Sequence, residues 1–550
     1  MSNYLKSAIS KIYGEDDDFI LLGLTGQTGS GCSTVARILS SEKSKIKHSL
    51  FSGSCPSSNE KRKELIVGKF FESNWEAYRV LQVRSIITLT LVDCGIHDAI
   101  IYLKGKSIVD DKALDLLREK LEEIKQEKDS TVSLSDFYTI RLPELSDQIR
   151  PILGETSFVS MYQTIGTNIR MSGSPIEEGI QEGKFFTLAG EINDIALKIR
   201  DEDKKFGRKT LLVIDAIRNP LEAIYFQERW ASFYLVAVSC SDEDRRRRLR
   251  KLGYNESDVD KLDKQEYVRR KLEDKESYFI QDIQSCLERS DLYISNPNEN
   301  NSVSEFRTLA SQVIKFASLM KRPGLITPTA IERCMQIAYT AKLNSGCISR
   351  QVGAVVTDSN FSIHSVGWND TPHGQVPCNL RNRFNLLQGK DQLAYSEFEK
   401  NNNEYLEFFR GKSDRYAEIE NEGRNVSYCF KSEYNEFKGE KNNQVNTRSL
   451  HAEENAFLQI SKYGGMGVEG GNLFTTASPC VLCSKKAYQL GIKNIYYIDP
   501  YPDIATSHIL QGGANNPNLI LFSGAIGRAF HYLYTPIVAY KDELNTLVCD

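Results

Sequence analysis

The sequence predicts two α/β domains in tandem, the first a parallel sheet around a phosphate-binding loop, the second a three-layer α/β/α arrangement around a metal site. Three observations lead there. The apolar run Phe19-Ile20-Leu21-Leu22-Gly23-Leu24 opens directly into the glycine-rich stretch Gly26-Gln27-Thr28-Gly29-Ser30-Gly31-Cys32-Ser33-Thr34. Strand-like runs then alternate with helical periodicity through the first half of the chain. Finally, His451-Ala452-Glu453 is followed by Pro479-Cys480-Val481-Leu482-Cys483, each segment at the expected start of a helix.

The first domain reads as an α/β unit of the phosphate-loop, kinase-like type. Its loop departs from the template GxxxxGK[ST], in which successive backbone amides and a helix N-terminus cradle phosphates and a lysine neutralises their oxygens. Cys32 stands at the lysine position, while Gly26, Gly31 and the magnesium-binding position Ser33 remain. An amide nest without its lysine still binds anions but lacks a point charge at the group being transferred. The loop residues Gly26, Thr28, Gly29, Ser30, Gly31, Cys32, Ser33 and Thr34 are therefore expected to bind a nucleotide, with Mg2+, rather than to run efficient phosphoryl transfer. Leu211-Leu212-Val213-Ile214-Asp215 is a second buried strand whose terminal Asp215 would sit beside the magnesium. Arg170, Arg218 and the arginines at 245 to 248 are candidates to replace the missing charge.

Further along, Trp75 to Val92 and Glu191 to Arg200 read as helices, and Phe233 to Val238 as a strand before an arginine-rich helix. Ser290 to Asn296 reads as a last strand, and Val303 to Leu319 as a closing helix. Alternation of this kind favours parallel strands with right-handed crossovers. Lys321-Arg322-Pro323-Gly324 makes a hinge, which places the boundary near residue 325 and assigns 326–550 to the second domain.

That domain opens with an amphipathic helix, Thr329 to Leu343, followed by strands at Val352 to Thr357 and Phe361 to Gly367. The His451 and Cys480 segments and the strand Asn494 to Ile498 complete an order of helix, hairpin, helix, strand, helix, strand. One imidazole and two thiolates, from His451, Cys480 and Cys483, supply three zinc ligands and leave a fourth position for solvent. An isolated CxxC is often a structural knuckle, but such a site wants four ligands, and no fourth Cys or His stands close by in sequence. The combined spacing is the signature of zinc-dependent nucleobase deaminases. Glu453 is the expected proton carrier; Glu454, one residue on along a helix, points about 100° away. Helix N-termini also favour the thiolates and a bound hydroxide.

Composition sets the outer bounds. A chain of 550 residues fits three or four ordinary domains or two large ones. With 40% hydrophobic and 26% charged residues it is an ordinary globular composition. No apolar run approaches the roughly 20 residues needed to span a bilayer, and the first residues lack a signal-peptide core. The expected location is cytoplasmic, away from membranes, with the twelve scattered cysteines reduced. A net charge of -4 gives no bulk attraction to polynucleotides, so free nucleotides are the expected substrates.

From about residue 329 onward the chain resembles the deoxycytidylate deaminase family, through Arg350-Gln351-Val352-Gly353-Ala354-Val355, Gly367-Trp368-Asn369-Asp370-Thr371-Pro372, His451-Ala452-Glu453 and Ser478-Pro479-Cys480-Val481-Leu482-Cys483. The whole is similar to bacterial two-domain proteins that join a degenerate phosphate-loop domain to such a deaminase and act against phage. That resemblance implies a cytidine-deaminase-like second domain acting on dCMP, dCTP or both, with depletion of cytosine deoxynucleotides during infection. It also implies a homo-oligomer restrained by a regulatory nucleotide or cognate inhibitor. Asn369 would contact base or sugar and the backbone of Val352, Gly353 and Ala354 would line the pocket, although Asn369 is equally a turn former. Some relatives hold a second, structural zinc, for which Cys347, His373, Cys378 and Cys429 are possible ligands. The polar stretch from about 379 to 448 reads as a surface loop or lid. Three other readings stay open: a deaminase of single-stranded nucleic acid, a nucleotide kinase with an accessory deaminase domain, and a scaffold with a purely structural zinc.

Overall fold

The computed structural model describes residues 11, 13, 18–106, 109–266, 278–297, 306–440, 444–464, 467–498 and 505–548. The chain divides into two compact units, Met1–Thr327 with Ser523–Asp550, and Pro328–Phe522. Among the described residues no single helix is long and apolar enough to cross a membrane.

The first unit is organised by β1 (Phe19–Thr25), β2 (Arg79–Gln82), β3 (Thr210–Asp215), β4 (Phe233–Ser239) and β5 (Leu292–Ser295). These pair in parallel in the order β5-β4-β1-β3-β2. Every residue of β1 is buried. The two faces explain this: Phe19 and Leu21 enter one apolar cluster while Ile20, Leu22 and Leu24 enter another on the opposite side. A strand covered on both sides reads as a continuous apolar run rather than an alternating one. The helices that matter below are α1 (Cys32–Leu39), α2 (Val83–Asp93), α3 (Thr187–Lys205), α4 (Asp242–Lys251), α5 (Glu256–Glu266) and α6 (Arg307–Lys321).

Three expectations are corrected in this unit. The stretch 75–92 is not one helix: Arg79–Gln82 is the edge strand β2, and the helix starts at Val83. Pairing of Val80 and Leu81 with Val213 and Ile214 outweighs the helical pattern there. The closing helix runs Arg307–Lys321, its expected start at Val303 lying outside the described residues. The last residues, expected in the second domain, belong here instead: Gly524 and Ala525 pair antiparallel with Tyr293 and Leu292, and Ala529 and Leu533 are buried in the apolar cluster beneath that edge.

The second unit carries β6 (Gly353–Thr357), β7 (Ile363–Trp368), β8 (Asn472–Thr475), β9 (Asn494–Tyr497) and β10 (Asn518–Leu521), in the sheet order β10-β9-β8-β6-β7. The hairpin partner β7 and β8 both run antiparallel to β6, whereas β8, β9 and β10 are parallel to one another. Its site-bearing helices are α7 (Ala330–Ala341), α8 (Ala452–Tyr463) and α9 (Val481–Gln489). Thr329 starts α7 with a reciprocal cap, its hydroxyl accepting from the Glu332 N–H while the Glu332 carboxylate accepts from the Thr329 N–H.

Two glycines let these helices reach the sheet. A Cβ on Gly353 would stand 1.9 Å from the Ala338 carbonyl oxygen of α7, and one on Gly367 would stand 2.3 Å from the Ala452 oxygen of α8. The stretch after Cys378, expected as a loop, is folded. Short helices enclose an aromatic core of Tyr395, Tyr405, Phe409 and Tyr428, and Arg381 pairs with Glu399 and Tyr428 where all three are buried. The polar composition concealed this because charges neutralise one another inside it.

The close approach at Gly367 yields a test. Gly367→Ala forces the α8 backbone off β7 and is expected to cost about 3 kcal/mol, in the range of overpacked cores. Equilibrium urea denaturation would register this as a lower midpoint, and an unchanged midpoint would disprove the contact.

Candidate metal centre and glycine-rich loop

Two helix starts converge in the second unit. His451 is the N-cap residue of α8 and Cys480 that of α9, with Cys483 in the first turn of α9. His451 Nδ1 lies 3.3 Å from Cys480 Sγ and 3.5 Å from Cys483 Sγ, and the three donor atoms all fall within 4.8 Å of one another. Donors sharing one tetrahedral zinc at ordinary bond lengths stand about 3.6 Å apart, so the cluster has the dimensions of a metal cradle. One nitrogen and two sulfurs also suit zinc chemically. The Cys480 thiol is pushed down to about 3, chiefly by the hydrogen bond from Cys483 and next by the His451 ring, while the same contact and burial push Cys483 up.

Glu453 is 4% exposed, and the Thr475 hydroxyl donates to its Oε1 at 3.4 Å. Burial raises its carboxyl above the usual range, opposed by a backbone N–H and by His451. Glu454 is committed elsewhere: its carboxylate pairs with Lys486 on α9 and accepts from the His451 N–H at 3.4 Å. The two neighbouring acids therefore differ in kind, one buried beside the donors and one ion-paired between the helices. Thr475 and Lys486 were not singled out in the sequence. The only signal for Thr475 was its place at the end of β8, one short turn before Pro479 and Cys480.

Asn369 adopts a supporting position. Its Oδ1 accepts from the Val352 N–H at 2.7 Å and its Nδ2 donates to the Arg350 carbonyl at 2.7 Å, so the side chain laces together the segment leading into β6. Gly353 and Ala354 are buried in β6, Gly353 N donating to Thr476 Oγ1 at 3.1 Å; Val352 is partly buried against the apolar core. Among the described residues, Cys347, His373, Cys378 and Cys429 form no group with donor atoms close enough to share an ion.

In the first unit the loop between β1 and α1 turns on Gly29 and Gly31, at φ +88° and +113°. Ser33 Oγ donates to Asp215 Oδ2 at 2.9 Å, so the ends of β1 and β3 meet through these two side chains. Desolvation raises the Cys32 thiol to about 12, leaving a neutral group at the lysine position. The expected replacement charges mostly point elsewhere. Arg170 pairs with Glu222 where both are buried; Arg245 pairs with Asp242 and Asp263, and Arg246 with Asp242, Glu256 and Asp260. Arg247 pairs with Asp244, and Arg248 donates to the carbonyls of Gly29, Ser30 and Asn296, from the acceptor side of the loop. Arg218 alone of these reaches Thr28, and it also pairs with Glu266 at 2.8 Å.

If the triad holds zinc, Cys480→Ala should leave only a small fraction of the wild-type metal after dialysis, measured by elemental analysis, with the circular dichroism spectrum retained. Wild-type zinc content in that variant would rule the cradle out.

Residues 328–499 match the family model described as the cytidine and deoxycytidylate deaminase zinc-binding region. The deoxycytidylate deaminase of Enterobacteria phage T2 is 30% identical over 169 residues, covering 30% of this chain and 78% of that one. The corresponding enzyme of Enterobacteria phage T4 is 31% identical over 168 residues, covering 30% and 76%. The crystal structure of dCMP deaminase from the cyanophage S-TIM5, in complex with dCMP and dUMP, aligns over 36% of this chain and 99% of that one, at 23% identity and a TM-score of 0.22. The phage relatives, at 30% identity or more and matched over more than three quarters of their length, lead to one conclusion: this chain belongs to the cytidine and deoxycytidylate deaminase family.

Proposed function

We propose that the second unit hydrolyses the exocyclic amine of cytosine deoxynucleotides, converting dCMP, dCTP or both into dUMP or dUTP, in a zinc-dependent reaction. The observation that carries this reading is a buried carboxyl, Glu453, set beside three donor atoms of zinc-binding type. A zinc ion held by His451, Cys480 and Cys483 would lower the pKa of a water toward roughly 7 and so supply a nucleophile at neutral pH. Glu453 handles the protons. It accepts one from the attacking water and passes it to ring N3, then takes the second from the new C4 hydroxyl and delivers it to the departing amine; C4 gains a C–O bond, loses its C–N bond, and ammonia leaves behind a C4 carbonyl. Burial suits Glu453 to this traffic, because a carboxylate with raised pKa takes a proton from water more readily than an exposed one. Thr475 fixes one carboxylate oxygen, and Asn369 shapes the Arg350–Val352 wall through its two backbone bonds, with Gly353 and Ala354 continuing that wall into β6.

For the first unit we infer a kinase-like phosphate-loop domain that binds a nucleotide along Gly26–Thr34, with Asp215 and Ser33 placed for Mg2+. Kinase activity is disfavoured by the neutral Cys32 thiol. In the cell the expected role is depletion of cytosine deoxynucleotides in defence against phage. A homo-oligomer, restrained by a nucleotide or a cognate inhibitor, fits that role.

Glu453→Gln is expected to reduce ammonia release from dCMP and dCTP by about a thousandfold, in the range of lost acid–base catalysis, while zinc content stays at the wild-type level. Undiminished turnover would remove Glu453 from the reaction. Running the wild type in parallel on a cytosine-containing single strand separates a nucleotide deaminase from a polynucleotide one.

A further inference from the structure

The first unit buries a carboxylate against its glycine-rich loop. Glu266 on α5 has no exposed surface, and its two carboxylate oxygens each accept from the Thr28 N–H at 3.1 Å. The Thr28 hydroxyl donates to the same carboxylate, and Arg218 Nη1 donates to Oε1 at 2.8 Å. An amide, a hydroxyl and a guanidinium converging on one point are the donors an oxyanion requires. They lie on the glycine-rich loop, at the carboxyl ends of β1 and β3, where ligands of open parallel sheets are held.

We propose that Glu266 is a resident substitute for a phosphoryl group, and that a nucleoside triphosphate engages the loop only by displacing it, so that ligand binding and docking of α5 exclude each other. The inference rests on the reading of Gly26–Thr34 as a nucleotide-binding loop. Its physical basis is competition for shared donors. Two anions cannot occupy one seat, and with Cys32 neutral only Arg218, among the arginines named above, neutralises charge there. A terminal phosphate brings more charge and more acceptor oxygens than a carboxylate, and Mg2+ between Ser33 and Asp215 would add to its advantage. The hold of α5 on α4 runs through Arg246 with Glu256 and Asp260, acids that are more than half exposed and form weak, salt-screened pairs, and through Asp263 with the buried Arg245, which displacement of α5 would have to break. Val259 and Leu262 supply its buried apolar contacts.

The test is a calorimetric titration of ATP with Mg2+, and separately of inorganic phosphate, into the full-length wild type and Glu266→Gln. The carboxamide keeps the shape and loses the charge, so tenfold or tighter ATP binding by the variant is expected. An equal gain with inorganic phosphate supports the seat and assigns it to the phosphoryl group alone; a gain restricted to ATP supports it and adds the nucleoside. Equal affinity in both proteins overturns the displacement and leaves nucleotide binding standing, whereas absence of binding to either protein overturns both. Should Glu266→Gln fail to fold, hydrogen exchange on the wild type decides: ATP is expected to protect 26–34 and to expose the amides of 256–266, and unchanged exchange in α5 on a protected loop overturns the proposal.

Discussion

The close approach of α8 to β7 at Gly367 is the constraint on which the metal centre depends. Because the Ala452 carbonyl lies where a side chain at 367 would stand, the start of α8 is pressed against the sheet, and His451 is the residue immediately before it. The β8 strand pairs with β6 in the same sheet and ends at Thr475, and a short turn then delivers Cys480 to the start of α9. Two helix origins referenced to one sheet can hold donor atoms 3.3 to 3.5 Å apart with little freedom.

Electrostatics then separates residues that composition leaves alike. Glu453 and Glu454 are neighbours, yet one is buried against Thr475 and the donors and the other spans α8 to α9 through Lys486. Burial raises the Glu453 carboxyl, whereas Glu454 lies in an ion pair. The same division appears in the first unit, where a run of consecutive arginines after Asp244 is spent on acids of α4 and α5 and on loop carbonyls. A basic stretch in sequence is here an internal brace.

Buried charge also accounts for the stretch after Cys378. Arg381 and Arg383 are almost fully enclosed, stacked on Tyr428 and Phe409 and paired with Glu399 and Glu433. Aromatic faces and carboxylates together solvate guanidinium groups that water would otherwise hold. A polar composition can therefore conceal a core, which is why this segment reads as a loop and folds as a helical subdomain.

By itself the sequence determined the elements whose signal is local. Continuous apolar runs marked β1 and β3, glycines marked the loop between β1 and α1, and the spacing of His451, Glu453, Cys480 and Cys483 marked a candidate metal site, since ligand type and helix starts are written in adjacent residues. Tertiary structure alone decided what depends on partners distant in the chain. Pairing with β3 turned Arg79–Gln82 into a strand, and an edge at Tyr293 drew Gly524 and Ala525 into the first unit. Thr475 reached Glu453 across 22 residues and Glu266 reached Thr28 across 238, separations over which no periodicity or motif carries information about who meets whom.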